Sequence, residues 1–537
     1  MTHSLNRHLE KALFWGLLAL SLLPTVLFEY FPSEDGSLHV ANAAVYLHSQ
    51  SPLFSEYYRL DFFPVPNLLA DFGLAGLLSF MPPALATKVL VLVLAVGLPV
   101  AIRWCLSLLR PSAIWLAIFS IPIAQGRFHY FGYFNFVLGI VLSFVVFGYW
   151  LKYVRGRRHR LWHWIAMTAL LVLVYLSHAL PLLVLLLMIG AALLDDAIAK
   201  SKLGTGSVLG HMMRDLLPVV GASLTPLVLL AVFQAGQGGA SYIHGPLARV
   251  IRFPVYPIAV LSSYETLLAA FLTLAIVMLV VTALVVGRSV RWNEPGFLIA
   301  TGVLLLCYMV VPDYIGDGAD VPARIALYAF VFSLFWISRR AVPRWAQGAG
   351  VIAATLVVVG LMLVRIPSHA VLDEDIREYL SGEAVIEPGS TVLPMWLTDI
   401  EEGRGPGGGG RIVRPLVELA GEMTADGDVV DLHHLPAALD LALFRFAPGY
   451  DIRETTDEGE PSPFTFGPGM VDIEEFEGSG GGRVDYIWLW GRSVADPELL
   501  ESDRARRTLA LIDDAYELVF VSEPRGLLEV YARHPDS

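Results

Sequence analysis

Up to residue 365 the chain is a succession of apolar blocks, most of them long enough to cross the ~30 Å hydrocarbon layer of a membrane at 1.5 Å per helical residue. Inside lipid each backbone N–H and C=O must find a partner within the protein, so blocks of this length fold as helices. They fall at 12–31, 64–81, 84–109, 131–151, 161–178, 181–195, 216–235, 258–287, 296–312, 322–338 and 345–364. The stretch 111–126, broken by Pro111 and Pro122, is shorter and reads as a half-helix or re-entrant piece packed in protein. Only 16% of the 537 residues are charged, against roughly 25% in ordinary soluble domains. The fold class is therefore a polytopic α-helical membrane protein, with about 11 spans, followed by a soluble domain.

Charge marks the boundary between the two. Residues 366–537 carry 35 Asp+Glu, 13 Arg and no Lys, a balance of −22, whereas residues 1–365 carry 24 Lys+Arg and 15 acids, a balance of +9. The sign change at Arg365-Ile366-Pro367 divides a transmembrane domain, 1–365, from an acidic domain, 366–537. Such a tail excludes nucleic acid as a partner, because phosphate backbones are held by basic surfaces. The tail reads as α/β, with helical patterns at 373–380 and 497–513 and strand patterns at 390–396, 486–490, 516–522 and 527–533. Gly403–Gly410 and Gly478–Gly482 lack the GxxxxGK[ST] spacing of a phosphate cradle and read as loops. His433-His434 has no further ligands at metal spacing and reads as surface. Cys105 and Cys307 both lie in apolar runs, which leaves no disulfide framework and no CxxC site.

Basic clusters orient the spans. Arg7/Lys11, the run 155–160, Lys200/Lys202/Arg214, Arg288/Arg291 and Arg339-Arg340 with Arg344 fall on one side, the cytoplasmic one by the positive-inside rule. Lys88, Arg103 and Arg110 break the pattern, so 81–130 is where the map is weakest. The first block, which lacks a small-residue cleavage site, reads as a retained signal anchor in the plasma (inner) membrane. Loop 32–63, the segment 125–135, loops 236–257 and 312–324, and the acidic domain then share the extracytoplasmic face.

That face opens with Glu29-Tyr-Phe-Pro-Ser-Glu-Asp-Gly-Ser-Leu-His39. Asp35 and His39, four apart, lie on one face of a short helix, with Glu34 pointing elsewhere. A carboxylate at the mouth of an apolar bundle can take a proton from a hydroxyl nucleophile. His39 can orient that carboxylate, share a divalent metal with it, or contact a phosphate. The plain alternative is an acidic pair that caps a helix and keeps a loop wet.

The continuation, 53–66, is an extended aromatic-rich loop before the next block. This order, together with Phe131-Gly-Tyr-Phe-Asn-Phe-Val-Leu-Gly139, Tyr175-Leu-Ser-His-Ala-Leu-Pro181 and Val311-Pro-Asp-Tyr-Ile-Gly-Asp-Gly318 followed by Arg324, resembles the GT-C glycosyltransferases of bacterial and archaeal type. Asp485-Tyr-Ile-Trp-Leu-Trp490 and Tyr516-Glu-Leu-Val-Phe520 are similar to the endings of such proteins. The resemblance implies a hexosyl- or pentosyltransferase that uses a polyprenyl-phosphate-linked sugar donor. It further implies a glycan, lipid or protein acceptor and an acid early in the first external loop acting on the acceptor or on a metal. Asp35 matches that acid, and the adjacent Glu34 stays an alternative.

A lipid phosphate needs cations and hydrogen-bond donors at the membrane surface. External candidates are Arg127, His129, His178, Arg249, Arg252 and Arg324. Each also has a structural reading. Arg324 can pair with Asp313, Asp317 or Asp320, Arg249 and Arg252 can snorkel, and His178 can cap a helix. Asp71 and Glu265 are acids within or beside spans, functional unless buried against a polar partner. A transporter or flippase would place ionisable groups along a through-path, often with repeats, and this chain shows neither. A catalytically inactive membrane scaffold stays open.

Overall fold

The computed structural model describes residues 2–61, 65–155, 161–204, 206–235, 239–256, 258–286, 288–289, 294–315, 318–397, 412–438, 442–452, 471–478, 480, 482–495 and 503–535. Outside them lie Phe62-Phe63-Pro64, positions 156–160 of the basic run, Arg291, Asp317, Gly403–Gly410, positions 479 and 481, and 497–502. The chain forms two compact units. One comprises Met1–Val26, Pro64–Leu69 and Val91–Ile366, the other Leu27–Phe63, Ala70–Leu90 and Pro367–Ser537.

Seven helices among the described residues are long and apolar enough to cross a membrane, as expected of a multi-span protein. They start at Pro83, Phe134, Ala179, Val208, Ser263, Val321 and Arg344. Leu161–Ser177 and Gly296–Val310 are shorter apolar helices. Three blocks differ from their expected form. The first is a helix Thr2–Ser21 that breaks at Leu22 and resumes only as Leu23–Leu27. The block 64–81 holds a helix of only 10 residues, Leu69–Leu78, which reaches ~15 Å, half of a bilayer core. The helix pattern at 373–380 is the end of one helix, Arg344–Leu380.

The stretch 111–126 differs in the opposite sense. It is a 3-10 helix Pro111–Phe119 followed by an α-helix Ser120–Ala124, nearly all of it buried. A 3-10 turn rises about 2 Å per residue, so these residues together reach ~25 Å. Their ends are tied to opposite ends of the helical unit. Arg110 donates to the carbonyls of Ser338 and Arg340, and Gln125 donates to the Ser21 hydroxyl.

The basic end of that unit is laced by ion pairs. Arg103 meets Glu10, Arg155 meets Asp196, and Arg339 meets Glu294, while Asp195 accepts the Gly296 N–H. Charges at these ends sit where helices stop, the position that costs least in a membrane protein.

The other unit is built on a five-stranded mixed sheet. Its strands are β1 Ser390–Trp396, β2 Val429–Asp431, β3 Tyr486–Trp490, β4 Tyr516–Val521 and β5 Leu528–Arg533, in spatial order β4-β5-β3-β1-β2. The central pair β1 and β3 run parallel and are buried at every position, which their continuous apolar runs require. Pro394 is tolerated inside β1 because β2 pairs only with Ser390–Val392 and has ended before it. Ile376 and Tyr379 of the long helix pack on Trp488 and Trp490, and Phe54 and Tyr57 of the first loop join the same core. A short antiparallel pair, Tyr58–Leu60 with Phe444–Phe446, belongs to this unit as well.

Candidate active site

Each unit carries candidate residues of its own. In the sheet-bearing unit, Pro32 ends the preceding segment and Asp35 stands at the N-cap of a helix, Gly36–His48. Its side chain makes no capping hydrogen bond to that helix, so the carboxylate is not spent on holding the turn. Glu34 is engaged differently, accepting the backbone N–H of Arg414 at 3.0 Å. Asp35 and Glu34 are both partly exposed.

His39 lies one turn further on and is buried. Its Nδ1 meets Asp71 Oδ1 at 2.5 Å, and Asn42 Nδ2 donates to the other Asp71 oxygen at 3.2 Å. The Asn42 carbonyl oxygen contacts His434 Nε2 at 3.0 Å, and His434 Nδ1 reaches the Tyr58 hydroxyl at 3.2 Å. This buried chain of polar groups clamps the helix that carries Asp35. It corrects the surface reading of His433-His434, since both are fully buried, with His433 lying 3.4 Å from Glu418. Asp71 is an acid buried against polar partners. Among the described residues no group of three His, Cys, Asp or Glu side chains is gathered as metal ligands.

In the helical unit the cations gather at the end opposite the basic one. Arg324, at the start of the helix Val321–Ser338, stacks over Tyr133 and Phe136 at 4.6 and 5.1 Å. Its Nη1 lies 2.6 Å from His178 Nε2, and its Nε is buried with no partner among the described residues. It pairs with neither described acid, because Asp320 meets Arg127 and Asp313 meets Arg249 and His244. His178 does cap a helix, its Nδ1 accepting the Leu180 N–H at 3.1 Å. A neutral imidazole has one acceptor nitrogen, so that cap and the contact with Arg324 compete. Among the described residues, Arg324 Nε is left with unmet hydrogen-bonding capacity.

The remaining candidates are more fully occupied. Arg127 pairs with Asp320 at 2.8 Å and lies over Phe131. Arg249 is buried and donates to the carbonyls of His244, Tyr308 and Val311 and to Asp313, so it neither snorkels nor offers a vacant fork. Burial alone would raise the Asp313 carboxyl, but hydrogen bonds from His244, Ile243 and Arg249 hold it well below the usual carboxylate range. Arg252 is exposed at the end of the seven-residue helix Pro246–Arg252. His129 is buried, and burial with the nearby Arg365 pushes it down to about 3, so it stays neutral. Arg365 itself is wholly buried, paired with Glu265 at 2.8 Å and donating to the carbonyls of Gln125 and Ile258. Reading the sequence missed Arg365, Asn42 and the His434–Tyr58 contact. Their partners lie far away in the chain, and no local spacing announces them.

Comparison with solved structures places this architecture. A crystal structure of ArnT from Cupriavidus metallidurans in the apo state matches 100% of this chain with 99% of its own, at a TM-score of 0.50 and 10% identity. The chain has an ArnT-like fold. This bears out the GT-C-like arrangement expected from the sequence. A second ArnT structure, bound to undecaprenyl phosphate, matches at a TM-score of 0.47 and 10% identity over 98% of both chains. The arabinofuranosyltransferase AftD from Mycobacteria matches at a TM-score of 0.47 and 14% identity, covering 98% of this chain and 40% of its own. No family model and no curated protein matches the chain.

Proposed function

We propose that the protein is a membrane glycosyltransferase that moves a sugar from a polyprenyl-phosphate donor to an extracytoplasmic acceptor. The observation that carries this reading is the whole-chain likeness to ArnT, end to end in both chains. Asp35 acts as the base, and Glu34, which accepts the Arg414 N–H, stays the alternative. As the acceptor hydroxyl attacks the anomeric carbon, Asp35 takes its proton, the C–O bond to phosphate breaks, and the configuration inverts. The lipid phosphate leaves with the bonding pair and is stabilised by cations, Arg324 first, with Arg127 and Arg252 in support. His39 is a positioning residue, held through Asp71, and His178 orients Arg324.

The N-terminus is cytoplasmic and the acidic domain 366–537 is extracytoplasmic under this proposal, by the positive-inside rule. The test is sugar transfer by the purified protein from a synthetic polyprenyl-phosphate sugar. Asp35→Asn abolishes transfer while leaving the melting temperature unchanged, and Glu34→Gln retains most of it. Full activity in Asp35→Asn removes the assigned base.

A further inference from the structure

The sheet-bearing unit holds a narrow pocket that the transfer chemistry above does not use. Tyr30, Ser33, Ser37, Thr87 and Glu422 supply its polar wall, around a space of about 10 Å³, room for one small polar group. It shares Tyr30, Ala84 and Glu422 with a wider cleft of about 330 Å³, at the lower end of small-molecule sites. Thr87 is 5% exposed, yet its hydroxyl has no hydrogen-bond partner among the described residues. An orphaned buried hydroxyl costs ~1–3 kcal/mol and calls for a reason. Ser37 donates to one oxygen of Glu422 at 3.0 Å, leaving the carboxyl a second oxygen for another group.

The mouth supplies the selectivity. Glu29, Glu383 and Asp426 line the wider cleft, and its cation Lys88 already donates to the Phe28 carbonyl at 2.7 Å. This acidic rim repels a phosphate, so the cleft is unsuited to the donor's anionic group. A neutral group that both donates and accepts hydrogen bonds answers Thr87 and Glu422 together, and a sugar hydroxyl does both.

We propose that this pocket and cleft bind neutral sugar units of the acceptor, with one hydroxyl seated between Thr87 and Glu422. The proposal rests on the transferase reading and adds an acceptor class to it. Burial, with Glu383 nearby, pushes the Glu422 carboxyl up to about 7 against the ordering effect of Ser37, so near neutrality it can donate as well as accept.

A hydrophobic carbodiimide, which reacts with protonated buried carboxyls, tests this on the full-length protein in nanodiscs. Adducts at Glu422 are counted by peptide mass spectrometry with methyl glucoside, methyl mannoside, methyl arabinoside, glucose 1-phosphate or putrescine present. At least one neutral glycoside should slow labelling threefold or more, and glucose 1-phosphate should not. Thr87→Val should raise the half-protecting concentration about tenfold while keeping the sugar-free labelling rate and melting temperature. Saturation-transfer NMR with the same glycosides should lose most of its signal in Thr87→Val, and this decides the matter if Glu422 is not labelled. Equal signals in the two proteins, equal protection in both, or better protection by putrescine overturn the proposal. Transfer from the lipid donor is measured on the same preparation. Transfer without glycoside protection sinks the acceptor site alone, and protection without transfer sinks the enzyme reading alone.

Discussion

Arg324 illustrates how much a single side chain's surroundings say about its task. An interfacial arginine that merely anchors a span pairs with a neighbouring acid or reaches headgroups. Arg324 instead lies over the rings of Tyr133 and Phe136 and meets the ring nitrogen of His178. A planar guanidinium held by stacking presents its fork in a fixed direction, whereas a lysine ammonium neither stacks as well nor binds bidentately. Arg324→Lys is therefore expected to lower kcat/KM for the lipid-linked donor more than tenfold with little change in melting temperature. Steady-state transfer assays and a thermal melt check both halves of that statement.

Glu422 gives a second expectation at this scale, one of stability against pH. Burial pushes its folded carboxyl up to about 7, from an ordinary value of 4.5. Below about 4.5 both folded and unfolded chains hold the proton, and the residue has no effect on the balance. As pH rises toward 7 the unfolded chain loses its proton first, so the folded state loses relative stability. Glu422→Gln should melt like the parent at acid pH and progressively higher from pH 5 to 7, with no further gain above. Melting curves across that range test it, and a constant offset at every pH would dismiss the shifted carboxyl.

At the scale of elements, the helix Gly36–His48 is the part on which the proposed chemistry hangs. It is pinned at its buried face by the Asp71–Asn42–His434 chain and packed against the 3-10 segment Leu419–Thr424. Gly421 makes that packing possible, since a Cβ there would run into the Ser37 carbonyl and the Ala41 methyl. Gly421→Ala should destabilise the protein by ~1–3 kcal/mol and reduce transfer, because the helix displaced carries Asp35 at its cap. Circular dichroism melts together with transfer rates check this, and an unchanged rate would show that the placement of the helix is not critical.

Elements also show where local pattern suffices to read structure. The central strands Ser390–Trp396 and Tyr486–Trp490 were evident as apolar β-rich runs, because both faces are buried. Val429–Asp431 and Phe444–Phe446 were not, being three residues long and defined by partners distant in sequence. The block 64–81 holds a helix shorter than its apolar length predicts, for a related reason. Composition registers hydrophobicity, but Leu69–Leu78 spends its apolar face on protein, with Ala70, Leu74 and Ala75 buried.

For the whole molecule, 64–81 and 111–124 bear on topology together. Under the proposed orientation, taking 111–124 rather than 64–81 as the crossing leaves the parity of every later span unchanged. It also brings Arg103 and Arg110 to the basic end, where Glu10 and the carbonyls of Ser338 and Arg340 hold them. Two of the three exceptions to the positive-inside pattern thus disappear, and only Lys88 stays on the opposite side. The candidate cations Arg127, Arg249, Arg252 and Arg324 keep to the end opposite the basic one, which faces outward under the proposed orientation. Exposed single cysteines test this directly, in a background where Cys105 and Cys307 are replaced by serine or alanine. Arg507→Cys, on the exposed face of the helix Asp503–Ala515, should react with a membrane-impermeant maleimide in right-side-out vesicles. Lys202→Cys, at the end of the helix Ala179–Lys202, should react only after permeabilisation. The reverse pattern would put the acidic domain in the cytoplasm and the proposed acceptor on the wrong side of the membrane, whereas labelling of both without permeabilisation would break the parity of the spans between them.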